Sequence, residues 1–349
     1  MKSVFNKSIP GQAFFQCLSL GLSLCFLLFS NTGTAAEPRG EIVGGVVHTA
    51  PSWFKDSFLE IQDDVDEATE ADKHLILFFQ LNGCPYCDRM LTESFRAEPL
   101  TSYIQEHFDT IAINVGGDRE IVFNEEITVI EKELAELLKV RATPAILFLD
   151  SDNQTVVRVN GYRSPERFEQ VLHFVSEKAY LQGTLADYLD TNLQKDVYAL
   201  RDNELFTPLS DLSSVDGPLA IVFEDGSCYD CNEFHDTILS RPEVQAEMKA
   251  FTVVRINADS DEEIIGIDGG KTTPKALADK FEMIYRPGVL LFDNGELVRR
   301  YDSLLFHHHF KEGFRYVSGG YHKSQDYRAY SEARTEELLA QGVNIDLGR

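Results

Sequence analysis

The sequence predicts an α/β protein made of two tandem α/β/α sandwich domains, each with a central mixed β-sheet. Three observations predict this. Short apolar runs of strand length alternate with helical stretches. The order of these elements repeats once, at an interval of 143 to 144 residues. In each copy a proline opens an apolar strand that leads into a hairpin and a closing helix.

Composition fits this reading. A chain of 349 residues is too long for one ordinary domain and suits two. Apolar residues make up 43% and charged residues 26%, which excludes wholesale disorder and fibrous classes. The net charge of −25 argues against nucleic acid or anionic lipid as partner, since both recruit clustered Lys and Arg. Six cysteines are too few for a disulfide scaffold, so their positions matter more than their number.

Residues 1–36 read as a secretory signal peptide. Lys2 and Lys7 precede an apolar run from Phe14 to Phe29, and small residues lead to a cleavage point after Ala36. A membrane anchor is the competing reading, and Leu24 before Cys25 speaks against a lipoprotein. Cleavage takes the net charge from −25 to −27 and removes Cys17 and Cys25. The expected mature protein is soluble in the periplasm, an oxidising compartment.

Residues 37–50 form an N-terminal extension, and the first domain spans 51–182. Leu75–Phe79 is its buried strand and runs into Cys84 and Cys87. A helical stretch follows, then a strand at Ile111–Asn114 and a helix containing Leu134 and Ala135. Pro144–Asp150, Thr155–Val159 and a helix at Pro165–Lys178 complete the domain. Residues 183–217 are the linker, helical over Thr184–Val197 and loop over Asn203–Gly217. The second domain, 218–317, repeats the order: Leu219–Phe223, Cys228 and Cys231, Val253–Asn257, a helix with Leu277 and Ala278, Pro287–Asp293, Glu296–Tyr301 and a helix at His308–Val317. The tail, 318–349, carries a helix from Tyr327 to Gln341 whose Tyr330, Ala333 and Leu338 suit packing on the second domain.

The first cysteine pair carries the chemistry. Gly83-Cys-Pro-Tyr-Cys87 sits between strand and helix. Unsatisfied N–H groups and the positive end of a helix dipole stabilise a thiolate there. Cys84 would attack a disulfide, and Cys87, one turn on, would resolve the mixed intermediate. Pro85 sits where a helix tolerates proline. Pro144 follows Cys84 by 60 residues and Pro287 follows Cys228 by 59. A proline opening a buried strand removes a ladder donor, and a cis peptide in a tight turn would account for it.

Taken together, these elements resemble the thioredoxin superfamily. The Cys-Pro-Tyr-Cys motif, Trp53-Phe-Lys-Asp-Ser-Phe58, Asn114-Val-Gly-Gly-Asp118 and Arg141-Ala-Thr-Pro144 look like the periplasmic thioredoxins of the sulfur-oxidation (SoxW-like) group, over about residues 51–180. The second copy, with Cys-Tyr-Asp-Cys and Arg286 before Pro287, is more divergent. The resemblance implies protein thiol–disulfide exchange in a reductase or isomerase role, with Cys84 attacking and Cys87 resolving. It extends by position to Cys228 and Cys231. Pro85, Tyr86, Thr143 and Pro144, with Arg286 and Pro287 in the second copy, would face substrate. It implies protein thiols and disulfides as partners, a membrane redox partner to set the direction, and no cofactor. Phe78 and Val222 stand where cytoplasmic thioredoxins bury an Asp, so the redox potential need not match theirs.

Other readings compete. Cys-x-x-Cys also binds zinc, but zinc sites pair their motifs about 15–20 residues apart, and no metal is expected here. Structural disulfides are a stronger rival for the second pair. The rival from another class is a peptide-binding or chaperone module without turnover. His307-His-His309 reads as the start of a solvated helix, His74 and His173 as packing residues, and Asp63/Asp64 and Glu262/Glu263 as solvated faces. Asp230 is expected to raise the Cys228 pKa, and Arg286 to lower it if the turn brings the two close.

Overall fold

In a strand alternate side chains face opposite sides, so an unbroken apolar run needs cover on both. This rule organises both sheets. The computed structural model describes residues 38–348, so the expected signal peptide with Cys17 and Cys25 lies outside the described residues. The first half contains β1 (Ile42–Val43), α1 (Ile61–Glu70), β2 (His74–Gln80), α2 (Pro85–Met90), α3 (Leu100–His107) and β3 (Phe108–Asn114). It continues with β4 (Glu120–Asn124), β5 (Ile127–Ile130), α4 (Glu131–Leu137), β6 (Ala145–Leu149), β7 (Thr155–Asn160) and α5 (Pro165–Ser176). After α6 (Leu185–Asn192) come β8 (Pro218–Glu224), α7 (Cys231–Glu233), α8 (Pro242–Met248), β9 (Thr252–Asn257), β10 (Ile264–Ile265) and β11 (Lys271–Thr272). The chain ends with α9 (Pro274–Lys280), β12 (Gly288–Asp293), β13 (Glu296–Tyr301), α10 (His307–Ser318), α11 (Tyr327–Ala340) and β14 (Ile345–Asp346).

Two four-stranded sheets result, in the orders β3-β2-β6-β7 and β9-β8-β12-β13. In each the first pair is parallel and the others antiparallel, so both sheets are mixed as expected. Leu75, Leu77 and Phe79 of β2 pack with Ile61 and Val65 of α1 and Leu134 of α4. Ile76 and Phe78 face the other way, toward Ile104 of α3 and Phe168 and Leu172 of α5. The second sheet alternates likewise, with Leu219, Ile221 and Phe223 on one face and Ala220 and Val222 on the other. The inner faces of the two sheets belong to a single apolar cluster that runs through both domains. Residues 38–349 accordingly form one unit.

Local chemistry explains the turns. Pro144 and Pro287 both follow cis peptide bonds, as the strand-opening prolines suggested. In the turn after β3, the buried Glu131 carboxylate accepts the backbone N–H of Asn114 at 2.8 Å and the Arg119 guanidinium at 2.6 Å. A side chain at Gly117 would meet that carboxylate at 1.9 Å, so the turn needs glycine there.

Several features depart from the sequence reading. Two small hairpins, β4–β5 and β10–β11, were not anticipated. Residues read as linker loop pack on the second sheet: Leu212 is buried there and the Thr207 N–H donates to Val253 at 2.7 Å. Ala333 of α11 is exposed, while Tyr330 and Leu338 are buried. Asp64 is buried rather than solvated, because it takes the Ser57 hydroxyl at 2.5 Å and lies 3.7 Å from Lys55. His308 is buried in α10, whose inner face packs on the second sheet, so this helix start is not solvated. Burial, with His309 and Lys311 nearby, pushes His308 down to about 3.

The extension at 38–50 is clasped to the tail. β1 pairs in parallel with β14, Gly40 N–H donates to Leu339 at 2.8 Å, and Arg39 grips Glu336. The strand then reaches the first cysteine turn, where Val46 pairs with Gly83.

Candidate active site

Cys84 ends the loop after β2 and caps α2. Its sulfur accepts the Cys87 backbone N–H at 3.1 Å, one of the orphan donors of a helix start. Pro85 occupies the first helical position, where no donor is lost. The two cysteines form a disulfide with Cα atoms 5.3 Å apart. The Thr143 hydroxyl lies 3.4 Å from the Cys84 sulfur, and Pro144 follows it. The pair is asymmetric: Cys84 keeps 9% exposure and Cys87 has none. Leu81 and Asn82 beside Cys84 are exposed, and Pro85 and Thr143 half-buried. Cys84 is therefore the member of the pair nearer to solvent, and Cys87 lies behind it.

The second pair differs. Cys228 and Cys231 are also joined, but they are 1% and 0% exposed. No proline stands between them, and the helix starts at Cys231, with Asp230 as the preceding cap. Cys228 is thus not at a helix start, unlike Cys84. The linker closes over the pair. Tyr198, Val197 and Leu200 pack on both cysteines, and the N–H groups of Val197 and Tyr198 donate to Gly226 at 3.0 and 3.2 Å. A side chain at Gly226 would strike the Lys195 carbonyl at 1.9 Å. The Tyr198 hydroxyl donates to Glu224 and meets His235 at 3.1 Å, while His235 lies 2.7 Å from Glu224. Sequence reading missed this buried cluster, because Tyr198 lies in the linker, remote from the motif.

The charges expected to tune Cys228 are already engaged. Arg286 donates to Asp225 at 2.5 Å and to the carbonyls of Met283 and Tyr285. Asp225 in turn accepts the Ser227 N–H at 2.9 Å and hydroxyl at 2.6 Å. Burial alone would raise Asp225, but Arg286 and Ser227 outweigh it and hold the carboxyl below its usual range. Asp230 accepts the Tyr285 hydroxyl at 2.6 Å, and burial raises its pKa. Arg286 therefore acts on the Cys228 turn through Asp225, and Asp230 is bonded to its own domain's Tyr285. Pro287 is buried beneath them.

The two motifs meet across the domain boundary. Tyr86 stacks on Phe306 with ring centroids 3.9 Å apart. Arg89 forms a two-pronged pair with Glu233 at 2.7 and 2.9 Å. Its guanidinium also lies 4.1 Å over the Tyr162 ring, and Arg163 lies 4.3 Å over the Tyr285 ring. Burial opposes its charge, yet the Glu233 carboxylate keeps Arg89 above its ordinary value.

Among the described residues, no group of three or more His, Cys, Asp or Glu is placed to hold a metal ion, and no helix is long and apolar enough to cross a membrane. The His307-His-His309 run serves packing and pairing, with His307 3.9 Å from Glu243. His74 is buried against Tyr180 at 3.0 Å and His173 meets Tyr103 at 3.0 Å, both packing roles as expected.

The model of the thioredoxin-like domain family matches residues 61–176 and again 209–318. No curated protein matches the chain. Among solved structures, the chain is similar to a thioredoxin-fold protein from Helicobacter pylori at 28% identity, covering 34% of this chain and 83% of that one, with a TM-score of 0.31. A thioredoxin from Thermus thermophilus shares 20% identity over 39% of this chain and 95% of its own, with a TM-score of 0.30. The oxidised C-terminal domain of DsbD from Neisseria meningitidis shares 15% over 36% and 98%, with a TM-score of 0.25.

Proposed function

The chain belongs to the thioredoxin-like domain family, and from that premise we propose that it is a protein thiol–disulfide oxidoreductase acting through Cys84 and Cys87. One observation carries the reading: the cysteine that caps the helix keeps some exposure, and the cysteine that would resolve it has none. In the reducing direction the Cys84 thiolate attacks one substrate sulfur. A Cys84–substrate disulfide forms and the other substrate sulfur leaves as a thiolate. Cys87 then attacks the Cys84 sulfur, closes the intramolecular disulfide and releases the second thiolate. Two electrons pass from the cysteine pair to the substrate, and the two thiol protons end on the substrate sulfurs. Thr143 and Pro144 flank the attacking sulfur and would orient the incoming chain.

We further propose a periplasmic site of action, supported by the leader-like first 36 residues and by cysteines confined to two Cys-x-x-Cys pairs in the remainder. There a membrane redox partner would recharge the Cys84 pair. A reductase or isomerase role needs that supply, because the compartment itself is oxidising.

The second domain's pair supports the structural-disulfide reading. Its disulfide is buried beneath the linker and takes no part in the exchange proposed for Cys84. Tyr198→Ala is expected to cost about 3 kcal/mol of stability by emptying a buried aromatic site. It should also speed reduction of Cys228–Cys231 by a small dithiol, read by mass spectrometry after alkylation. An unchanged reduction rate would show that the linker does not protect this pair.

Function itself is tested by mixing the reduced chain with a disulfide-bonded protein and quenching with an alkylating agent. Cys84 and Cys87 should become oxidised in step with reduction of the substrate. Substrate reduction at the rate of buffer alone would overturn the reading.

A further inference from the structure

Residues 89 and 233 occupy the same place in the two domains. Each stands five positions after the first cysteine of its motif, and the motifs are 144 residues apart, as are Arg89 and Glu233. When residues at equivalent positions touch, they lie on a local twofold axis. Other contacts follow the same symmetry. The loops between the last strand and last helix of each domain meet where Gly161 approaches Ser303. The loop of the second domain lays Phe306 on Tyr86 of the first motif. The corresponding loop of the first domain lays Arg163 on Tyr285, which holds Asp230 of the second motif. The two domains therefore pack motif face to motif face.

This packing covers the Tyr86 side of the first motif. Tyr86, two residues from the attacking sulfur, is buried by Phe306, and its hydroxyl has no partner among the described residues. Beside it a cleft of about 260 Å³ is lined by Tyr86, Arg89, Glu233, Leu304, Phe306 and His307. That space, beside Tyr86 and within two residues of Cys84 in sequence, has room for a side chain. On another side Val46 pairs with Gly83, the residue before Cys84. Approach is left over Leu81, Asn82, Pro85 and Thr143.

We infer that Glu233 and Phe306 of the second domain are specificity-determining residues for the first site: they admit small disulfides and disulfides on protruding segments, and exclude those set flush in a folded surface. This rests on the exchange reaction proposed above. The exchange step is unchanged, and what the second domain sets is which disulfide can reach the sulfur at bonding distance.

The test measures two rates with the full chain: exchange with glutathione disulfide, and exchange with a folded protein whose disulfide is partly buried. The readout is the ratio of protein rate to glutathione rate. Glu233→Arg sets two guanidinium groups against each other and should raise that ratio by about tenfold. The double exchange Arg89→Glu with Glu233→Arg restores an opposite-charge pair at the same place and should return the ratio to the starting value. Phe306→Ala, which removes the ring from Tyr86 without touching the charges, should raise the ratio in the same direction. A ratio unchanged in both Glu233→Arg and Phe306→Ala overturns the inference, and so does a ratio that falls. Failure of the exchange reading itself looks different: glutathione disulfide would then not react faster than in buffer with any of these proteins.

Discussion

Cys84→Ser is expected to bring exchange down to the rate of the buffer control, while the fold is kept. The hydroxyl is close in size to the thiol and can still accept the N–H at residue 87, so the cap survives. It does not ionise near neutral pH and cannot form a disulfide, so no mixed intermediate arises. Cys87→Ser should behave in the opposite way. Attack by Cys84 proceeds, resolution does not, and the enzyme–substrate disulfide accumulates as a species stable to gel electrophoresis without reductant. The two variants assign the roles separately. If Cys87→Ser gave no trapped adduct while Cys84→Ser did, the order of attack would be reversed and the exposure of Cys84 would have another cause. Cys228→Ser is expected to leave exchange by the first pair in place, because that sulfur is buried in the other domain.

Arg286→Ala is expected to cost about 3–5 kcal/mol, the effect of removing one partner from a buried ion pair. Asp225 would be left in the interior with its Ser227 bonds alone. The loss should depend on pH in a definite direction. In the wild type the folded-state pKa of Asp225 is depressed, so the pair's contribution is complete above the unfolded value and is lost as pH falls through the folded one. In the variant burial acts unopposed and the folded value rises. Stability then falls as pH climbs through that raised value. The gap between the two proteins should be widest near about pH 7 and should shrink on acidification, as the variant's carboxyl takes up its proton first and the wild type's, held below the ordinary range, takes it up last. Denaturant unfolding across that range measures it. A gap that widened on acidification would remove Asp225 from the account.

Most of the scaffold was legible because its signals are local. An apolar run such as Leu75–Phe79 has one use in a chain of this class, a strand covered on both faces, and the interval of 144 residues exposed the repeat without any alignment. The first site was legible for the same reason: Cys84, Pro85 and Cys87 are adjacent, and a proline at that spacing marks a helix start. What could not be read depends on contacts far apart in sequence. Tyr198 reaches Cys228 from the linker, and Arg286 is neutralised by Asp225, 61 positions earlier. Asp64 looked like half of a solvated acidic pair, because nothing nearby in the sequence announces that Ser57 and Lys55 close over it. The pairing of Arg89 with Glu233 was encoded at equivalent positions of the repeat, yet it takes on meaning only when the copies are set face to face.

The clasp of Arg39–Val43 against Glu336–Asp346 has a practical consequence for anyone handling this protein. The far end of the polypeptide holds down the segment that lies across the turn before Cys84. Trimming the last dozen residues, or fusing a tag to them, is therefore an intervention at the doorway of the reactive sulfur, some 250 positions away along the backbone but joined to it by a few backbone bonds.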